Sequence, residues 1–175
     1  VFNSYFGSGL SSIVFQEIRE SKSLAYSARA NYSMPNDKNL NDYMQVAIGT
    51  QANKLPQAVD AINALLADMP KIDKQFNNAK ESSLKQIASS RIIKTNIFFN
   101  QISLKKLGFD YDIRKDIFKD IQGLTIDSTN DFFNKEVKTK QYNTAIIGKK
   151  ESLDFEALKK LGDIEEVSLE EIFNY

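Results

Sequence analysis

Two groups of side chains are spaced closely enough to suggest chemistry: the serine pair Ser11-Ser12 and four carboxylates near the end, Glu165, Glu166, Glu170 and Glu171. A serine becomes a nucleophile only beside a base that takes its proton, and the sequence holds neither histidine nor cysteine. Ser-His-Asp triads, thiolate nucleophiles and both orders of the paired-histidine zinc helix, H-E-x-x-H and H-x-x-E-H, are therefore excluded within these residues. Ser11 and Ser12 read instead as helix-start residues. The four glutamates carry charge enough for a hard cation, but without interspersed turns or glycine they read as a solvated acidic end. The aromatic pairs Phe98-Phe99 and Phe132-Phe133 suit a peptide groove, yet adjacent aromatics on helices more often fill a core. No metal or cofactor site is expected in this chain.

The 175 residues suit one domain with a real core, and 42% apolar against 26% charged residues matches soluble globular proteins. Lys plus Arg number 23 and so do Asp plus Glu. Without net charge there is no field to hold a nucleic-acid backbone. No apolar stretch approaches the roughly 20 residues that span a bilayer. A soluble protein follows, and its lack of cysteine suits a periplasmic and a cytoplasmic location equally.

The elements that would position functional groups are legible from periodicity. Gly7-Ser8-Gly9 breaks whatever precedes it, and Leu10, Ile13, Val14 and Ile18 predict a helix over Leu10–Lys22. Strict alternation puts Leu24, Tyr26, Ala28, Ala30, Tyr32 and Met34 on one face of a strand. Pro35 to Asn39 supplies turn residues, and Tyr43–Thr50 alternates again, so the pair predicts an antiparallel hairpin. Helices follow: one from Leu55, with Pro56 in its first turn and Pro70 beyond its end, one over Asp73–Ile93, and one through Ile97, Ile102 and Leu107 to a stop at Gly108. Asp112 starts a short helix ending at Gly123, Thr125 or Asp127 caps the next, and Tyr142–Ile147 reads as a further strand before Gly148. The tail predicts a short helix through Phe155, Leu158 and Leu161 and an acidic last turn ending at Tyr175. The fold class is α+β, an antiparallel sheet with the helices from Leu55 to Leu107 layered on one face.

Residues Asn3 to Tyr26 combine a small-residue break, a Ser-Ser start, a helix carrying Phe-Gln-Glu-Ile-Arg-Glu, and Leu-Ala-Tyr entering a strand. This run resembles the signature of the C-terminal, non-zinc domain of insulinase/pitrilysin-type zinc metallopeptidases, the inverzincins. The resemblance implies a clamshell of related α+β domains, with zinc held in the N-terminal domain and a peptide substrate enclosed between the halves. It also implies auxiliary catalytic roles for Arg19 and Tyr26, which match an Arg and a Tyr seven positions apart that reach toward the substrate near the zinc. The chemistry is reasonable: water attacking an amide builds negative charge on oxygen, and a guanidinium or phenol placed there stabilises the transition state above the ground state. On their residue types alone, Arg19 can equally complement a helix dipole or pair with Glu17 or Glu20, and Tyr26 can be a half-buried sheet aromatic.

On this resemblance the chain is one domain, residues 1–175, of a larger multi-domain protein. It contributes substrate binding and transition-state stabilisation but no zinc ligands, and its partners are other domains of the same polypeptide or a partner subunit. The alternative is a non-catalytic partner or assembly module of a family member that has lost its zinc. The family domain begins with a strand and helix ahead of the glycine break. The chain starts at that helix's end, so its sheet is expected to lack one strand and expose an edge.

Overall fold

The computed structural model describes all residues except Asn36, Lys38, Ile92 and Tyr175. The expected turn at Pro35–Asn39, the expected helix end near Ile93 and the tail's last residue each touch these positions, which lie outside the described residues.

The chain enters through a short helix, α1 (Phe2–Phe6), which buries Tyr5 and Phe6. Its chain then turns at Gly7–Ser12 and resumes as a π-helical turn over Phe15–Ser21. The helix expected from Leu10 thus starts later. Leu10 is largely exposed, and Ser12 holds the turn by donating its hydroxyl to the Gly9 carbonyl (2.8 Å).

The predicted hairpin is present. Strand β1 (Ser27–Ser33) pairs antiparallel with β2 (Tyr43–Gly49), Ala28 opposite Ile48, Ala30 opposite Val46 and Tyr32 opposite Met44. These six side chains form the inner face, as alternation requires. The outer edge of β1 is covered: the Ala30 N–H donates to the Gly7 carbonyl (2.9 Å), and the Asn3 side-chain amide pairs with both backbone groups of Tyr32 (2.7 and 2.9 Å).

Helix α2 (Leu55–Ala67) lays Ala58, Val59, Ala61, Ile62, Leu65 and Leu66 inward. Its Pro56 sits in the first turn, where a missing N–H costs nothing. Helix α3 (Asp73–Ser89) packs against α1 and α5 (Arg114–Gly123). It ends earlier than periodicity suggests, because Ser89 and Ser90 turn their hydroxyls back onto the Gln86 and Ile87 carbonyls. Helix α6 (Ile126–Phe133) starts at Thr125, whose side chain and that of Ser128 form a reciprocal cap. A second π-helical turn, Asn134–Lys138, carries Val137 into the core.

The core joins the inner face of the hairpin to α1, α2, α3 and α6. Its aromatic part comprises edge contacts at Phe2–Phe132 (5.0 Å), Tyr32–Phe132 (5.0 Å) and Tyr5–Phe76 (5.7 Å) and a tilted contact at Phe6–Phe133 (5.8 Å). Phe2 and Phe132 are partly buried, and each fully buried member such as Phe6 or Phe133 contributes about 2 kcal/mol by removal of apolar surface from water.

Two expectations fail here. Helix α4 (Lys94–Lys106) buries no residue, so it is not part of the layer on the sheet, and Phe98 and Phe99 meet edge to face in solvent (64% and 67% exposed). Apolar residues lie on all sides of α4, so no single face directs it to the core. Residues 142–147 form no strand: among the described residues they make no backbone pairing, and the Tyr142 hydroxyl is instead tied to the Val137 carbonyl (2.8 Å). The tail forms two short helices, α7 (Phe155–Lys159) and α8 (Leu169–Phe173). No described helix is long and apolar enough to cross a membrane.

Candidate functional site

The segment from Glu17 to Tyr26 is held at its backbone and open at its side chains. Ile18 is fully buried and anchors the π-helical turn. Its carbonyl accepts the Leu24 N–H (2.9 Å), while the Glu17 carbonyl accepts the Lys22 N–H five residues on. Ser23 then takes a left-handed conformation (φ 51°), which reverses the chain toward β1. Three further bonds fix the exit. Lys54 donates to the Ser23 carbonyl (2.9 Å), the Thr50 hydroxyl donates to the Leu24 carbonyl, and the Tyr26 N–H donates to the Gly49 carbonyl (3.0 Å).

Arg19 projects from the π-helical turn with its guanidinium over the Phe15 ring, 4.8 Å from the centroid. Its side chain is 44% exposed and makes one loose ion pair, 3.7 Å to Glu20. An exposed pair of that length is worth a few tenths of a kcal/mol. The extra residue in the π-helical turn is what sets this placement, and such turns recur at functional sites.

Tyr26 is 71% exposed and does not sit among the inward side chains of β1. Its ring lies against Gly49, where a methyl group would come within 2.7 Å of the ring carbons. The phenolic oxygen meets no hydrogen-bond partner among the described residues. Tyr26 stands at one end of a cleft of about 680 Å³, whose walls include Met44, Val46 and Ile48 of β2, Val59 and Ile62 of α2, and residues 142–149. Arg19 is not part of that lining. The two side chains therefore share the loop between the π-helical turn and β1, and only Tyr26 reaches the cleft.

The other sequence candidates take structural places. Ser12 is buried and bonded within its turn, while Glu171 and Ser168 cap α8 reciprocally and Glu166 pairs with Lys150. Binding of the Ser168 amide and hydroxyl holds the Glu171 carboxyl below its ordinary range. Phe132 and Phe133 belong to the core region. No group of three or more Asp or Glu among the described residues is placed to hold a metal ion. The cleft itself was not legible beforehand, because it joins segments separated by nearly a hundred positions.

Residues 1–83 match the family model described as the peptidase M16 inactive domain. Over 84 residues, 46% of this chain, the sequence is 34% identical to an uncharacterized zinc protease, YmxG, of Bacillus subtilis (strain 168). The fold resembles the crystal structure of a peptidase M16 inactive domain from Pseudomonas fluorescens, with a TM-score of 0.57 and 19% identity over 77% of this chain. The chain spans about a fifth (20%) of the YmxG sequence and 32% of the Pseudomonas chain.

Proposed function

We propose that this chain, which carries an M16 inactive domain in residues 1–83, lines the substrate chamber of a zinc peptidase whose metal is held by another domain. In that reading Arg19 binds peptide carbonyls and Tyr26 stabilises the oxyanion that forms when zinc-activated water attacks the scissile amide. The chain itself supplies no zinc ligand, since it has no histidine or cysteine.

The observation that carries this reading is the open state of both side chains on a bonded backbone. Neither side chain is locked in a buried network: the phenol has no hydrogen-bond partner among the described residues, and the guanidinium has one loose pair and the Phe15 ring beneath it. A donor to the developing oxyanion is worth about 10²-fold or more in turnover. In the polypeptide or complex that contains the zinc domain, Arg19→Lys and Tyr26→Phe should lower kcat and kcat/KM together by about that factor. Melting temperature should stay within about 2 °C, because neither change opens a cavity. Unchanged turnover with a lowered melting temperature would assign both residues to structure.

A second reading has its own observation. The exposed apolar surface of α4, with Ile97, Phe98 and Phe99 bare to solvent, suits a module that docks on another domain or subunit. An H-x-x-E-H helix elsewhere in the polypeptide supports the first reading, and its absence there supports the second.

A further inference from the structure

Apolar surface and charge of one sign coincide on α4. Ile93, Ile97, Phe98 and Phe99 are more than half exposed, and from Arg91 to Lys106 the sequence carries four cations and no carboxylate. Arg91 and Lys94 stand at one end of this stretch and Lys105 and Lys106 at the other. Among the described residues none of the four has an ion-pair partner. The opposite combination lies in residues 163–172, which carry five carboxylates and no cation. There Val167, Leu169 and Ile172 are more than half exposed, and the pairs Glu165-Glu166 and Glu170-Glu171 flank Val167 to Leu169. Within one copy this segment does not cover α4: residues 161–172 and residues 93–99 are all exposed, and Glu166 is tied back to Lys150. The molecule exposes 12555 Å² in all, against about 8,700 Å² for a compact monomer of its mass, so surface remains to be covered.

We propose that two copies of this chain pair reciprocally, residues 163–172 of each lying along α4 of the other. The pairing deepens the second reading of α4, on which it rests, by naming the partner. It does not rest on the roles of Arg19 and Tyr26. The two surfaces are complementary in both respects at once: Val167, Leu169 and Ile172 cover Ile97, Phe98 and Phe99, while the glutamate pairs meet the cations at the ends of the helix. Leu169 and Ile172 are three positions apart on α8 and so share one of its faces. Each copy carries both members of the contact, so a two-fold axis satisfies the two contacts together, whereas a one-way contact leaves one α4 and one acidic segment bare. Exposed charges set register and encounter more than strength, so the apolar contact supplies most of the affinity, which falls in the micromolar range for a patch of this size. An anionic membrane surface suits the cations less well. A helix lying on such a surface needs one apolar face opposite a polar one, and α4 is apolar on all sides.

Sedimentation of the full polypeptide that carries these residues tests the pairing. The wild type should dimerise reversibly in the micromolar range, and more weakly as salt rises. One variant reverses the helix (Lys94→Glu, Lys105→Glu and Lys106→Glu) and a second reverses the segment (Asp163→Lys, Glu165→Lys and Glu170→Lys), leaving the bonds of Glu166 and Glu171 intact. All six positions are exposed, so both variants should fold. Each alone places like charges face to face in both contacts and should weaken dimerisation by roughly 30-fold or more. Mixed one to one they should dimerise again, because the mixed pair has one native contact and one with its signs exchanged. Phe98→Ser with Phe99→Ser should weaken dimerisation as much without lowering the melting temperature, since both rings are exposed. A monomeric wild type, including one that binds phosphatidylglycerol vesicles through the same lysines, overturns the proposal. So does a dimer unmoved by the charge variants, or a pair of variants that fails to dimerise on mixing. An effect of the helix variant without one of the segment variant also overturns it, but leaves α4 as a docking surface for a different partner.

Discussion

Gly7→Ala is the sharpest test of how the N-terminal segment is joined to the sheet. Gly7 has an ordinary backbone conformation (φ −127°), so alanine is permitted there on conformational grounds and should even stabilise by about 0.4–1 kcal/mol through the unfolded chain. The surroundings reverse that sign. A methyl group at this position would lie 2.0 Å from the Ala30 carbonyl oxygen, 2.5 Å from its carbon and 2.6 Å from its Cβ. Two of those atoms are backbone of β1, so relief requires the turn and the strand to separate. Overpacking of that kind costs about 1–3 kcal/mol, and the Ala30-to-Gly7 hydrogen bond, worth about 1 kcal/mol, is strained with it. The net expectation is a loss of roughly 1–3 kcal/mol, or about 3–10 °C in melting temperature for a chain of this size. Gly9→Ala is the control. Gly9 has φ 96° and open space around it, so its cost is conformational, about 1 kcal/mol. Urea unfolding should rank Gly7→Ala as the more damaging, and hydrogen exchange should show the Ala30 amide opening faster in that variant alone. A Gly7→Ala protein within about 0.5 kcal/mol of wild type, or one more stable than Gly9→Ala, refutes the close-approach argument.

Tyr5→Phe should cost about 1–3 kcal/mol in equilibrium unfolding. The buried Tyr5 hydroxyl donates to the Pro70 carbonyl and accepts the Ile72 N–H, each at 2.9 Å, and the variant leaves both part-buried groups short of a partner; a loss below about 0.5 kcal/mol would mean water replaces it. Stability should also fall at alkaline pH. Burial, then the hydrogen bond to Asp42, pushes the Tyr32 phenol up to about 12, so between pH ~10 and ~12 the folded protein keeps a proton that the unfolded chain has released. Its contribution is therefore complete below pH ~10 and lost as the pH rises through about 12. It amounts to about 2 kcal/mol. Tyr32→Phe should flatten that part of a stability–pH curve, and an unaltered slope in the variant would place the loss elsewhere.

What was readable in the sequence was whatever rested on a local period. Alternation through Ala28, Ala30 and Tyr32 set the buried face of β1 because a strand has only two sides, and Pro56 and Pro70 bracketed α2 because proline's missing donor restricts it to such places. Features that depend on distant contacts were not readable. Gly7 reads as a chain breaker, whereas its role is to let the Ala30 carbonyl approach. Ala145, Ile146 and Ile147 have strand composition, but composition does not supply a neighbour, and pairing is what makes a strand. The apolar spacing of α4 did not imply burial, since Phe98 and Phe99 point to a side no described element covers. Of the candidate site, the match around Arg19 and Tyr26 located the loop. Neither the π-helical turn nor the exposure of Tyr26 follows from periodicity.

The bonds around that loop bear on why a functional reading of it is physically economical. Four hydrogen bonds converge on the backbone of residues 17–26, from Lys22, Leu24, Thr50 and Lys54, and a fifth leaves it from Tyr26 to Gly49. These bonds together with the buried Ile18 fix the backbone of the loop without using the side chains of Arg19 or Tyr26. Positions whose backbone is fixed by others and whose side chains stay open are suited to meeting something that arrives from outside, because little ordering remains to be done on contact. The two residues differ in that respect. The Tyr26 ring rests against Gly49 at one end of the cleft. Arg19 has a flexible stem resting on Phe15, so its guanidinium has the wider reach. Removing the anchors should then act through Tyr26: Lys54→Met and Thr50→Val loosen the exit of the loop beside it, and if the proposed peptidase role holds they should lower kcat by less than Tyr26→Phe does with KM little changed, whereas wild-type kcat in both variants would refute that route.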